Sequence, residues 1–342
     1  MGKKMIEYVS IAKAIGIILV VAGHCIDGKI TNFIYLFHMP MFFMISGYLF
    51  TSGKNIRIYV KRKIQAIYVP YVICNVFFLI LHNAFFDIGF YKEGILNLQK
   101  LDFVSFVKDV IGIISLTHME QVTAPTWYLR VLLISSIIFM LLNKYVNRKK
   151  HIIIMLTLYI LVYFLYYRNL INNSITIYST LILLAVVFMY WGKIYKIIEN
   201  KIQYRKSYII LSFISLMTMN EFGHINIVSI EWENPVFLLL SAFLGTFLVF
   251  GISSMLEKTK LKNVMVLVGN HTLIILLLHC AVFKIINLIH CYIGGNVRLY
   301  AIANADSFLW AVFYIAGGVF IPLAIELTFD RIKKRGKSFE KR

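Results

Sequence analysis

Stretches of about 20 mostly apolar residues recur along this chain, and no other feature narrows its folding options as far. A helix rises about 1.5 Å per residue, so each stretch is long enough to cross the ~30 Å hydrocarbon core of a bilayer. Inside hydrocarbon every backbone N–H and C=O has to find a partner in the chain itself, and a helix provides that locally. Composition agrees, because 60% of the 342 residues are apolar, against about 45–50% in an ordinary soluble domain. The expected fold class is all-α, a polytopic membrane helical bundle of about ten transmembrane helices.

The spans are expected at roughly 6–27, 31–51, 67–86, 126–143, 151–168, 177–195, 207–220, 235–253, 265–288 and 308–329. Spans 151–168 and 207–220 are both short, and a topology without that pair would still keep both termini inside. With a cytoplasmic amino terminus, most of the 35 Lys and Arg fall in cytoplasmic segments and most of the 16 acids fall outside. That alternation is the positive-inside pattern. The net charge of +19 therefore reads as topology and attraction to anionic lipid, with no nucleic-acid partner required. The location expected is the cell membrane, multi-pass, with both termini cytoplasmic.

Residues 1–342 read as a single integral-membrane domain, with no linker, low-complexity tract, detectable repeat or appended extracytoplasmic domain. The opening "MGKKM" and the apolar run behind it resemble a signal peptide, but further spans follow, which favours an uncleaved first helix. Cys25, Cys74, Cys280 and Cys291 show neither a disulfide framework nor a metal spacing, so no metal is expected. The loop 87–125 contains "DFVSFVKDVIGIISL", with apolar residues at helical spacing. It reads as a helix lying in the outer interface or dipping back into the bundle.

Ionisable residues inside spans are costly and by default face the bundle interior or a wet cavity. In "AKAIGIILVVAGHC", Lys13 and His24 are separated by about 1100° of helical rotation, close to three full turns, and by about 16 Å along the axis. They share one stripe, Lys13 toward the cytoplasm and His24 toward the outside. The bland alternative is that Lys13 snorkels inward and His24 meets the outer headgroups. "FHMPMFFMISGYLF" brings His38 to similar depth, beside Pro40, which removes a donor and kinks the helix. His38 then either joins His24 in chemistry or is a buried imidazole satisfied by the freed carbonyl.

"TAPTWYLRVLL" sets Trp127 and Tyr128 at the outer interface, where aromatic belt residues are common, and Arg130 one turn deeper. "VGNHTLIILLLHC" carries Asn270 and His271, with His279 near mid-depth. Glu326 is a candidate partner for Lys13, or a solvated interfacial acid. Glu221, Glu231, Glu233 and Trp232 line an acceptor groove or form a solvated loop. At the cytoplasmic face, Lys54, Arg57, Lys61, Arg62 and Lys63 form a basic run that sets orientation and suits an anionic phosphate ligand.

"YVSIAKAIGIILVVAGHC" followed by "FHMPMFFMISGYLF" resembles the opening of the membrane-bound acyltransferase-3 family, most nearly its fucose 4-O-acetylase-like branch. That family carries a basic residue, ten intervening residues and a His in its first helix, here Lys13 and His24. The basic stretch before Pro70 and Tyr71, the "TWYL" block and the "GNHTLIILLLH" block resemble weaker family features. Two positions depart: the basic residue is commonly Arg, and the residue three before it, here Ser10, is commonly Asp.

The resemblance implies an O-acetyltransferase that moves an acetyl group from cytoplasmic acetyl-CoA to a hydroxyl of a capsule- or exopolysaccharide-type glycan. No bound cofactor is expected, since acetyl-CoA is a donor substrate. Lys61, Arg62 and Lys63 are the candidates for its phosphates. Lys13, His24 and His38 are the candidate catalytic residues, with His24 as general base because imidazole titrates in the working range. His38, Arg130 or Asn270 would donate to the oxyanion, and Arg130, Trp127, Asn270 and His279 are the candidates for substrate binding. An acyl-His24 intermediate is the variant mechanism. A glycan or lipid-linked sugar transporter or flippase is the alternative function, since carriers also keep polar residues along an interior path.

Overall fold

Proline and a few polar residues decide where these long apolar runs break. The computed structural model describes residues 2–51, 55–95, 98–232, 234–295 and 297–339. Lys54 and Glu233 lie outside the described residues. The first span is one helix, α1 (Gly2–Gly23). The second, expected to be continuous with a kink, is two helices, α2 (Lys29–Tyr35) and α3 (His38–Tyr48). Pro40 explains the break: its ring cannot accommodate the carbonyl of Leu36, four residues earlier, and it has no N–H to offer.

The third span begins earlier and ends sooner than expected. It runs through α4 (Ile56–Lys63), a π turn over Ile64–Tyr68 and α5 (Val69–Ile80), followed by the short α6 (His82–Ile88). Pro70 cannot bond the Ala66 carbonyl, and the chain adopts the wider turn there, with Val69 N–H donating to Ile64 O. The loop that follows contains α7 (Phe103–Ile114). The remaining helices are α8 (Trp127–Tyr145), α9 (Arg148–Tyr167), α10 (Ser174–Ile198), α11 (Lys206–Phe222) and α12 (Pro235–Leu256). The expected ninth span is divided at His271 into α13 (Lys262–Asn270) and α14 (Thr272–Tyr292), and α15 (Phe308–Phe339) closes the chain. One two-residue strand pair, Ile225–Asn226 with Glu231–Trp232, folds a loop between α11 and α12.

The protein is an all-α polytopic membrane bundle. Eight helical stretches among the described residues are long and apolar enough to cross a membrane. The two expected spans outside that set are α1 and the 17-residue α11. Helix α1 runs through the middle, packed against α3, α12, α13, α14 and α15.

Small residues bring backbones together at two seams. A Cβ on Gly47 of α3 would sit 1.8 Å from the Met189 carbonyl of α10, and one on Gly192 of α10 would sit 1.8 Å from the Met44 carbonyl of α3. A Cβ on Gly269 would likewise meet the Ser10 carbonyl at 1.7 Å, so α13 lies directly on α1. Close approach of this kind supplies the packing that holds helices together in lipid, where apolar burial gives no drive.

The loop 87–125 dips into the bundle. Helix α7 packs along α5, and from its far end Tyr68 Oη donates to Ile114 O at 2.8 Å. Tyr71 Oη donates to His118 O. Tyr71 is nine residues before Ile80, so the hairpin tip reaches about 14 Å below the end of α5. Phe103, Val104, Val107, Ile111 and Ile114 form one exposed apolar face of α7, suited to lipid. At the tip, Leu116 has φ +64°, a left-handed conformation that strains a branched side chain.

A second anchor was not legible in the sequence. Lys284 of α14 is buried, and its ammonium donates to the carbonyls of Phe90, Leu299, Tyr300 and Ala301 at 2.8–3.2 Å. One cation thus holds two loops on the end of α14. Lys284→Met is expected to destabilise the fold by at least about 3 kcal/mol, because those buried carbonyls lose a charged donor. Thermal unfolding in detergent checks this, and an unchanged transition would show that water replaces the ammonium at no loss.

Candidate active site

Two cavities abut in the centre of the bundle. The first, about 220 Å³, is lined by Lys13 and Ile17 of α1, Ser46 of α3, Ile67 of the π turn, Leu132 of α8 and Leu273 of α14, among others. The second, about 340 Å³, is lined by His24, Tyr35, His38, Met119, Trp127 and the segment 226–229, among others. Val20, Met39, Tyr128 and Leu276 line both and form a collar between them.

Helix periodicity on α1 produces this arrangement. Lys13, Ile17, Val20 and His24 follow spacings of four, three and four, so they form one stripe. That stripe carries the cation at one end of the paired cavities and the imidazole at the other, as the shared-face reading expected. Lys13 has no hydrogen-bond or ion-pair partner among the described residues, and the walls around it are mostly apolar. An ammonium so placed is under-solvated, which favours a ligand that brings an oxygen lone pair or negative charge.

The histidines differ in what they can do. His38 Nδ1 donates to Ile34 O at 2.9 Å, taking up a carbonyl beside the Pro40 break. His279 is fully buried, and its Nδ1 donates to Ile275 O at 2.9 Å. A carbonyl only accepts, so each neutral ring carries its proton on Nδ1 and leaves Nε2 a bare acceptor. His38 is therefore an acceptor at Nε2, and the expectation that it donates to an oxyanion does not suit its neutral form. The ring of His279 lies 5.3 Å from that of His24, centroid to centroid, and its Nε2 has no hydrogen-bond partner among the described residues. His279 stands behind His24, outside the cavity lining.

Other expected site residues lie elsewhere. Arg130 lines neither cavity. It is buried, donates to Leu116 O at 3.1 Å and Met119 Sδ at 3.3 Å, and stacks its guanidinium 4.2 Å from the Tyr178 ring. It holds the tip of the dipping hairpin, relieving the polar cost of the strained Leu116 turn. Asn270 accepts from Ser10 Oγ at 2.8 Å, at the depth of Lys13, and is not at the His24 end. Glu326 accepts from His271 Nδ1 at 2.7 Å, so its partner is His271 and not Lys13. Glu221 pairs with Lys29 at 2.6 Å and Trp232 packs against Tyr166, and neither lines the second cavity. Trp127 does line the second cavity.

Lys61 and Arg62 are exposed and Lys63 is half-buried at the end of α4. They line neither cavity, but Ala66 and Ile67, about one turn on, line the first. Residues that the sequence reading passed over also contribute. Tyr128, expected in the aromatic belt, stands in the collar, and Met119 and residues 226–229 wall the second cavity.

Residues 6–327 match the family described as "Acyltransferase domain", the acyltransferase-3 family. No curated protein and no solved structure matches the chain.

Proposed function

This chain belongs to the acyltransferase-3 family, and from that membership we propose that it moves an acetyl group from cytoplasmic acetyl-CoA to a hydroxyl of a cell-surface or exported glycan. The family match makes the protein a membrane acyltransferase. The finer assignments of donor, acceptor, cell membrane and fucose 4-O-acetylase-like branch belong to this proposal.

The observation that supports it is the α1 stripe, with Lys13 on one cavity, His24 on the next, and a shared collar of Val20, Met39, Tyr128 and Leu276. In this reading the phosphates of CoA meet Lys61, Arg62 and Lys63, and planar guanidinium and compact ammonium groups both suit phosphate. The pantetheine arm enters the first cavity past Lys13, whose ammonium donates to a carbonyl of the arm. The thioester then reaches the collar, and the acceptor hydroxyl approaches from the second cavity.

An alcohol attacks a thioester only as its proton leaves, and His24 takes that proton. The C–O bond forms, the carbonyl oxygen becomes an oxyanion, and Tyr128, which lines the collar, supplies a hydroxyl donor to it. Collapse breaks the C–S bond, and the imidazolium returns its proton to the thiolate, leaving acetyl ester and CoA. His279, its ring 5.3 Å from that of His24, leaves a bare Nε2 that can accept from the imidazolium once His24 is charged.

The experiment is NMR of surface glycan from a strain deleted for this protein, with and without the gene restored. O-acetyl signals are expected to disappear on deletion and return on restoration. Unchanged O-acetyl signals in the deletion strain would defeat the proposal.

A further inference from the structure

Next to the second cavity lies a third, of about 330 Å³, lined by His82 at the start of α6, the loop 98–101, helix α7 and the returning chain 118–121. Met119 is common to the second and third cavities. The character of the third is unlike the rest of this apolar chain, since Gln99, Ser105, Lys108, Asp109, His118 and Gln121 all line it. Its floor is a buried pair. His82 Nδ1 lies 3.1 Å from both carboxylate oxygens of Glu120, and its Nε2 donates to Gln99 O at 3.0 Å.

Both nitrogens of His82 face acceptors, so the ring is an imidazolium. His82 follows the end of its span; burial opposes its charge, but the hydrogen bond and charge of Glu120 outweigh this and raise its pKa. Tyr91 Oη donates to Glu120 at 2.5 Å, and the backbone N–H of Gln121 adds a further bond at 3.0 Å. The Glu120 carboxylate is thereby consumed, and the pair contributes no net charge.

The remaining charges also balance, Lys108 against Asp109, with His118 3.8 Å from Asp109. An anion would gain from Lys108 and lose to Asp109, and an apolar group would strand the polar walls. What the walls match is a neutral ligand that both donates and accepts at several points, which is the chemistry of a sugar ring. The volume falls within the range of small-ligand sites, about 300–1,000 Å³.

Resting on the reading of the acceptor as a glycan, we infer that this third cavity is a subsite for the neutral sugar next to the one being acylated, with Met119 the flexible divider between them. The enzyme would then grip two sugars, one presenting its hydroxyl beside His24 and one held by Lys108, Asp109 and Gln121. Met119 suits the junction because an unbranched thioether adapts its shape at little cost.

The test uses the purified full-length protein in lipid nanodiscs with saturating acetyl-CoA. The acceptors are de-O-acetylated surface glycan of the host strain and its monosaccharide and disaccharide fragments. Wild-type kcat/KM for disaccharide is expected to exceed that for monosaccharide by about tenfold or more, since a few extra hydrogen bonds are worth that much. In Lys108→Met and in Asp109→Asn the ratio should fall toward one through a higher KM for the disaccharide. Lys108 is exposed on α7, so its variant does not threaten folding. Transfer that proceeds with the ratio unmoved in both variants overturns the subsite alone. No transfer from acetyl-CoA to any of these glycans by the wild type overturns the subsite together with the acceptor assignment beneath it.

Discussion

His24→Ala is expected to lower acyl transfer by about 10²–10⁴-fold, the usual worth of a positioned general base, while leaving the amount of folded protein in the membrane unchanged. The second half rests on its surroundings: among the described residues the ring of His24 makes no hydrogen bond to the backbone, unlike those of His38 and His279, and it faces a cavity. Removing it strands no buried partner except the acceptor nitrogen of His279, which already lacks one. Transfer of labelled acetyl from acetyl-CoA in membranes at matched protein level is the measurement. Near-normal transfer would end the general-base assignment and the acyl-His24 variant together, since both need the imidazole. A stable label left on the protein in the absence of glycan would favour the acyl-enzyme route over direct transfer.

The second large effect concerns Lys13. Lys13→Met keeps the length of the side chain and removes its charge, and a loss of about 10²–10³-fold in kcat/KM for acetyl-CoA is expected. That is the cost of losing one preorganised donor in a site where water does not replace it. Lys13→Arg should retain activity within about tenfold, because the positive charge survives although the fork geometry differs. Equal loss in both variants would mean that shape, and not charge, is what this position supplies. A loss confined to KM would make Lys13 a binding group for the donor. A loss in kcat would place its charge at the reacting carbonyl. The local carboxylate that commonly precedes the basic residue in this family is Ser10 here, and Ser10 donates to Asn270. The ammonium is therefore left free for a ligand.

These two residues also show what could be read early. Their spacing on α1 depends only on helical periodicity, and the bundle preserved it, so Lys13 and His24 line adjoining cavities. The breaks near Pro40 and Pro70 were local too, since a ring without an N–H disturbs the carbonyl four residues back wherever it sits. Arg130 was misread for the opposite reason. Counting residues sets it one turn inside a span, as a candidate to bind substrate or the oxyanion, but its partners are Leu116, Met119 and Tyr178. None of these is its neighbour along one helix, and the dip of the hairpin that delivers them has no local signature.

By itself, the sequence determined the class of protein, the approximate helices, the disturbance at Pro40 and the stripe on α1. Those follow from backbone hydrogen bonding and from the helical period, which act over a few residues. Only the tertiary structure decided the partners of the ionisable groups. Arg130 meets a hairpin tip, Glu326 meets His271, Asn270 meets Ser10, and Lys284 gathers carbonyls from two loops. A polar group in an apolar bundle settles on whichever lone pair or proton the fold brings within about 3 Å. That choice depends on chain segments far apart in sequence. The polar cavity between the start of α6 and helix α7 was decided the same way, by how deep a loop returns.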